Sequence, residues 1–346
     1  MQKEIIKPTK LLKPTGTLFQ DGWARHPYFI YSKNEIKANK FRIKEWDYYV
    51  ITNQVKGYSI SATISDLGYS TLISIAYIDF KLKKYSQVDK VALLPLKSIN
   101  LSPNSVDDSY LHKSYQNIRA TFIKKKNKRL LQFDAPTLVL PDGSIGLNVD
   151  IELTQEKNIE SMNIATSWKE NRKAFYLNEK INCMPVSGMI KRGDKKEIVD
   201  SATTFATLDW GRGRWTYKNT WYWASLSTLV NNIPVGFNLG YGFSDRSNAS
   251  ENVIFYNNII HKLDEVKFEI PKNYLERDWV FSDNEKRLDL IFTPIVDRTS
   301  LFNYAIIKSD QHQVFGQFNG TLVLDDKAIV ILDKQLGFAE KVTNKW

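Results

Sequence analysis

The sequence is poor in the residues from which covalent and metal chemistry is most often built. Its 346 residues include one cysteine, Cys183, and four histidines, His26, His112, His261 and His312. A single cysteine excludes an intramolecular disulfide. The histidines are far apart and none is spaced as His-x-x-x-His, so no metal site is expected. Cys183 sits between Asn182 and Met184-Pro185, away from any nucleophile signature, and reads as a buried inert thiol. There is no Gly-x-Ser-x-Gly elbow. The most glycine-dense motif, Trp210-Gly-Arg-Gly-Arg-Trp215, lacks the third glycine and following helix of a pyrophosphate loop, and no cofactor is expected.

Long apolar runs are also missing. None approaches the ~18 residues of a spanning helix, so no integral membrane segment is expected, while peripheral membrane contact stays open. The N-terminus carries Lys3, Lys7, Lys10 and Lys13, is broken by Pro8 and Pro14, and has no apolar signal region. With the single cysteine this predicts a cytoplasmic protein. The formal net charge is +10, yet no recognition helix, zinc spacing or aromatic RNA-binding motif accompanies it, and no nucleic-acid partner is expected. The densest basic run, Lys124-Lys-Lys-Asn-Lys-Arg129, lies between two strand-like segments and reads as a solvated hairpin tip.

Aromatic residues are abundant, 13% of the chain, and they fall in short β-branched runs such as Trp46–Ile51, Tyr58–Ile64 and Thr71–Ile78. Turn residues separate these runs, including Pro95 and Pro103 in a loop over 93–108 and Asp142-Gly143. Residues 155–171 read as irregular. Ser250–Leu263 reads as a hairpin turning at Asn257-Asn258, and the C-terminal part as a meander turning at Asn319-Gly320 and Asp325-Asp326. The expected fold class is all-β and antiparallel, in barrels or sandwiches. The expected organisation is a leader over 1–20, a first domain over 21–245 and a second over 246–346, divided at the polar loop after Gly242.

One stretch gathers the chemistry. Phe205–Ser227 holds four of the nine tryptophans, Trp210, Trp215, Trp221 and Trp223, together with Asp209, Arg212 and Arg214. Gly211 and Gly213 allow positive φ or a close backbone approach, which predicts a turn or bulge. Period two places Trp221 and Trp223 on one face and Tyr222 on the other. A carboxylate beside guanidinium groups can orient a polar ligand head while the rings bury its apolar body; the same residues can equally form a buried ion pair that fixes the turn. A second motif, Gly22-Trp-Ala-Arg-His-Pro27, offers Trp23, Arg25 and His26 to a pocket, or simply builds an edge strand.

Asp209-Trp-Gly followed by Trp221-Tyr-Trp223 resembles the Asn-Trp-Gly and Trp-x-Trp pattern of the lipocalin-like family that includes tocopherol cyclase and the carotenoid hydratases. More closely, Gly22–Pro27, Lys180-Ile-Asn-Cys-Met-Pro-Val-Ser-Gly188, Asp209–Trp215 and Gly337-Phe-Ala-Glu340 followed by Trp346 resemble a bacterial family known only as a domain of unknown function. The resemblance covers nearly the whole chain and implies two lipocalin-like units. The remote relatives imply carbocation chemistry, in which an acid protonates an alkene and aromatic faces shelter the cation. Their acidic position two residues before the Asn is Thr207 here, and a basic position is Leu208, so Asp209 and Glu340 become the candidate catalytic carboxyls.

Three functions follow from these residues. The first is binding of a hydrophobic or amphipathic small molecule, lipid- or isoprenoid-like, in an aromatic pocket of Trp23, Arg25, His26, Asp209, Trp210, Arg212, Arg214, Trp215, Trp221 and Trp223. The second is a cofactor-independent isomerase, cyclase or hydratase acting on such a molecule. The third is a structural or carbohydrate-binding surface module with a flat exposed row of tryptophans.

Overall fold

Short runs of Val, Ile, Tyr and Trp separated by turn residues pair with their neighbours in sequence, and this local pairing builds most of the molecule. The computed structural model describes residues 2–93, 99–304 and 307–345. Pro95 of the expected loop and Trp346 of the C-terminal motif lie outside the described residues. Two antiparallel sheets form, one a nearly closed barrel and the other a half-barrel. Among the described residues, helix is confined to the 3₁₀ turns Lys33–Glu35 and Lys40–Arg42.

The first sheet runs in the order Lys84–Leu93, Ser70–Asp79, Tyr58–Asp66, Ile43–Asn53, Thr204–Arg214, Asn171–Arg192, Ile145–Thr154, Lys128–Val139, Ile118–Lys125 and Ser109–Tyr115. Its long strand Asn171–Arg192 also pairs with Met162–Trp168, which carries Gly22–Ala24 along its other edge. The second sheet runs Ile259–Lys262, Val253–Tyr256, Ile233–Tyr241, Lys218–Val230, Ile329–Lys345, Ile307–Val323, Leu288–Tyr304, Trp279–Asp283 and Val266–Glu269. Each sheet encloses its own core, with Ile60, Leu131 and Phe133 in the first and Phe237, Trp279, Phe292 and Phe318 in the second. Further apolar clusters, including Trp215 with Phe255 and Trp223 with Phe338, fill the space where the sheets meet.

Several sequence expectations hold. The hairpin at Asn257-Asn258 forms, as do the turns at Asp142-Gly143 and Asp325-Asp326. Others are corrected. Asn319-Gly320 is not a hairpin turn but an irregularity inside the continuous strand Ile307–Val323, where Gly320 takes φ +133° and a Cβ would come within 2.1 Å of the Asp289 carbonyl. The irregular segment contains Met162–Trp168. Residues 2–20 are held as well: Thr9–Lys10 pairs with Phe29–Ile30, and Ile5, Leu11, Leu12 and Leu18 are buried, each contributing about 1.5–3 kcal/mol of apolar burial. The change of sheet falls between Arg214 and Lys218, ahead of the expected domain boundary near residue 245.

Candidate functional site

The strand Thr204–Arg214 is unbroken, paired on one side with Ile43–Asn53 and on the other with Asn171–Arg192, so Gly211 and Gly213 make no turn. Gly211 serves close approach instead. A Cβ there would sit 2.1 Å from the indole of Trp46, which lies across the strand at this point. Because the strand is regular, its faces alternate. Leu208 and Trp210 enter the core of the first barrel, while Thr207 reaches across to Ser227 of the second sheet, with 2.9 Å between the hydroxyl oxygens. Asp209 shares the face of Thr207. Arg212 takes the opposite one.

Asp209 and Arg212 therefore form neither a shared clamp nor an ion pair. The partner of Asp209 is its cross-strand neighbour Lys180, whose Nζ lies 2.9 Å from Oδ1. Asn178 Nδ2 donates to the same oxygen at 2.6 Å. Lys180 Nζ also stands 3.9 Å from the centre of the Trp223 ring, which belongs to the second sheet. Directly opposite Trp223 on that sheet is Glu340. Trp221 Nε1 donates to Glu340 Oε1 at 2.9 Å and Gln313 Nε2 to Oε2 at 3.1 Å, and Arg298 in turn donates to Gln313 Oε1 at 2.8 Å. A third carboxyl, Glu251, accepts from the Tyr176 hydroxyl at 3.2 Å. It reaches this position over Gly240, where a Cβ would stand 2.0 Å from Glu251 Oε1.

Three carboxyls thus gather around one ammonium at the junction of the sheets. All four side chains are buried, with Lys180 retaining 3% and Asp209 10% of side-chain exposure. Burial pushes the Glu340 carboxyl up to about 7, and the negative charge of Asp209 adds to this, while the Trp221 N–H and Lys180 oppose it. Burial raises Glu251 too, against the pull of Lys180. The Tyr176 hydroxyl is driven well above its ordinary range by burial and by Glu251 and Asp209. The cluster therefore holds an acid that keeps its proton near neutral pH beside an ion-paired carboxylate. Aromatic rings wall it: Trp223 meets Phe338 at 4.8 Å and Trp46 stacks on Tyr176 at 6.4 Å.

Of the candidate residues, the structure brings Asp209, Trp221, Trp223 and Glu340 together, with Trp215 in the adjoining ring cluster against Trp221 and Phe243. Trp221 and Trp223 share a face, and Tyr222 lies on the other, stacked on Tyr241 at 4.8 Å. Trp23 is buried in the same apolar cluster as Trp215. Arg25 turns away to Glu4 and Glu160, at 3.0 and 2.8 Å, and half-buried His26 packs on Tyr28. Trp210 and Arg212 stack on each other inside the first barrel, with Arg212 Nη2 2.9 Å from Asp47 Oδ1. Arg214 donates to the Lys37 carbonyl. Lys180 entered the sequence reading only as the first residue of a family motif, and Glu251, Asn178 and Tyr176 were not proposed as site residues, since their role depends on strand register and on a loop from the other sheet. No flat exposed tryptophan row forms from these residues: Trp23, Trp210, Trp215 and Trp223 are buried and Trp221 is half-buried. Among the described residues, no three His, Cys, Asp or Glu side chains are arranged to hold a metal ion, and no helix is long and apolar enough to cross a membrane.

These features define an all-β protein in which a barrel and a half-barrel meet over a buried acid–base cluster. The chain belongs to the family described as Domain of unknown function (DUF2804), whose model matches residues 2–346. No curated protein matches the sequence. Among the solved structures that share the fold are two of similar extent. One, assigned as AttH from Nitrosomonas europaea, is 13% identical, with 90% of this chain and 95% of that chain covered and a TM-score of 0.51. The other, CghA solved with Sch210972, is 8% identical, with 88% of each chain covered and a TM-score of 0.53. A more distant likeness is to kievitone hydratase from Nectria haematococca, 12% identical over 87% of this chain and 88% of that one, at a TM-score of 0.47.

Proposed function

We propose that the protein is a cofactor-independent isomerase, cyclase or hydratase acting on an unsaturated hydrophobic or amphipathic small molecule at the junction of the two sheets. The observation that carries this is Glu340, a carboxyl pushed up to about 7 among tryptophan rings and beside the Lys180–Asp209 pair. An acid that still holds its proton near neutrality can deliver it to a carbon–carbon double bond, and the ring faces of Trp221 and Trp223 stabilise the cation that results. The proton lost in completing the reaction goes to Asp209. It comes from an adjacent carbon in isomerisation or cyclisation, or from an added water in hydration. Lys180 orients the receiving carboxylate. The shared fold with CghA, solved with Sch210972, supports a small organic molecule as the occupant.

The test is incubation with a panel of acyclic and monocyclic isoprenoid alkenes in deuterated water, read by mass spectrometry. A rearranged, cyclised or hydrated product carrying carbon-bound deuterium is expected. Glu340→Gln should slow its formation by about 10²–10⁴-fold, the usual loss for a positioned acid. Trp223→Ala should also slow it, whereas Tyr222→Ala, on the far face, should not. Recovery of the alkenes unlabelled and unchanged, with one of them retained in native mass spectra, would replace catalysis by binding alone.

A further inference from the structure

The basic hairpin of the first barrel does not simply project into solvent. Its turn is where the sequence places it, but Lys124 and Arg129 face each other directly across the antiparallel pair Ile118–Lys125 and Lys128–Val139, on the inward side with Phe122 and Leu131. Both are buried, at 7% and 4% exposure. Like charges directly opposite on one face destabilise a sheet, and burying them adds a desolvation cost. Their bonds go to neutral groups. Arg129 donates to the Ser105 carbonyl at 2.7 Å, to Gln155 Oε1 at 3.0 Å and to the Tyr49 hydroxyl at 3.3 Å, and Lys124 donates to the Lys126 carbonyl. The carboxylates nearby are already engaged. Asp47 pairs with Arg212, Glu179 accepts from the hydroxyls of Ser105 and Ser161, and Asp108 accepts from the Lys126 N–H. Burial and Arg129 together hold the Lys124 ammonium below its usual range.

The two cations line a cavity of about 210 Å³ whose other walls include Tyr49, Phe122 and Trp210. Trp210 is buried and its Nε1 has no hydrogen-bond partner among the described residues. The space thus holds two cations, an indole N–H and aromatic walls against one lining carboxylate, Asp47, which is already paired with Arg212. Its volume is below the roughly 300–1,000 Å³ of drug-sized pockets, which fits one ring or a short chain.

We propose that the first barrel contains a second ligand site, separate from the sheet junction, that binds a small molecule with an oxyanion head between Lys124 and Arg129 and an apolar body against Tyr49, Phe122 and Trp210. The test compares benzoate and phenyl phosphate, which distinguish a carboxylate from a phosphate head, with uncharged benzamide, using tryptophan fluorescence and thermal melting. At least one of the two anions should quench fluorescence and raise Tm, and benzamide should do neither. Lys124→Met should raise the Tm of the empty protein by relieving the like-charge pair, yet weaken binding of the anion by about ten- to a hundredfold, the scale of a lost charge-assisted hydrogen bond. No response to either anion at millimolar concentration, or binding by Lys124→Met within twofold of the parent, would overturn the proposal.

Discussion

Lys180 and Asp209 are direct neighbours on adjacent antiparallel strands of the first sheet, with 2.9 Å between Nζ and Oδ1, and the same Nζ rests 3.9 Å from the Trp223 ring of the second. One ammonium therefore ties the candidate carboxylate to the aromatic wall across the sheet junction. Replacing Lys180 would leave Asp209 buried without its counter-charge, and breaking such pairs from one side is costly.

Arg212 belongs to a different network and should behave accordingly. It is fully buried, donating to Asp47 and to the carbonyls of Trp46 and Ser102. Arg212→Ala should cost about 3–5 kcal/mol in urea unfolding, since it strands Asp47 inside the barrel. A loss below about 1 kcal/mol, the scale of an exposed pair, would contradict this placement.

Gly211 should resist the smallest possible change. An added methyl overlaps the Trp46 indole at 2.1 Å, so Gly211→Ala must displace that ring and should destabilise by about 1–3 kcal/mol, the range for overpacking. The near-ultraviolet circular dichroism of the tryptophans should change with it. An unaltered spectrum and unfolding midpoint would mean that Trp46 does not lie across the strand.

Glu340 should leave a mark on the pH dependence of stability. Its native carboxyl titrates at about 7 against 4.5 for an unperturbed one, so between those values the folded chain keeps a proton that the unfolded chain has released. The contribution is fully present below the unfolded value and is lost as pH rises through the native one. At 1.36 kcal/mol per unit the loss amounts to about 3 kcal/mol. Glu340→Gln cannot ionise and should gain stability relative to the parent by about that amount between pH 4.5 and pH 8, measured by urea unfolding. A difference independent of pH would refute the shift.

What the sequence disclosed follows the range of the interactions. Turns such as Asn257-Asn258 are set by neighbouring residues and were legible, and so was the split of Trp221 and Trp223 from Tyr222, which needs only period two. The same rule separates Asp209 from Arg212, three positions apart, but Gly211 between them and Gly213 beyond pointed to a turn that the strand does not make. Asn319-Gly320 carried the strongest local hairpin signal and became an irregularity within a strand, because pairing on both sides of Ile307–Val323 outweighs a dipeptide preference. Lys180 stood out only as the first residue of a family motif, with no sign of its partner, and Glu251 gave no comparable signal. Their proximity to Asp209 is fixed by register in one case and by a chain excursion from the second sheet in the other. Arg129 and Lys124 were misjudged for a related reason: a basic run marks a tip, and only the pleat decides which of its side chains turn inward.

The most direct test of the account is titration of the Glu340 carboxyl itself, followed by carbon-13 NMR of glutamate-labelled protein and assigned by its loss in Glu340→Gln. The account expects a midpoint near 7 that falls in Asp209→Asn, because the negative charge of Asp209 is one of the influences raising it. A midpoint near 4.5 in the parent protein, unmoved by Asp209→Asn, would contradict the claim that the sheet junction holds a proton donor.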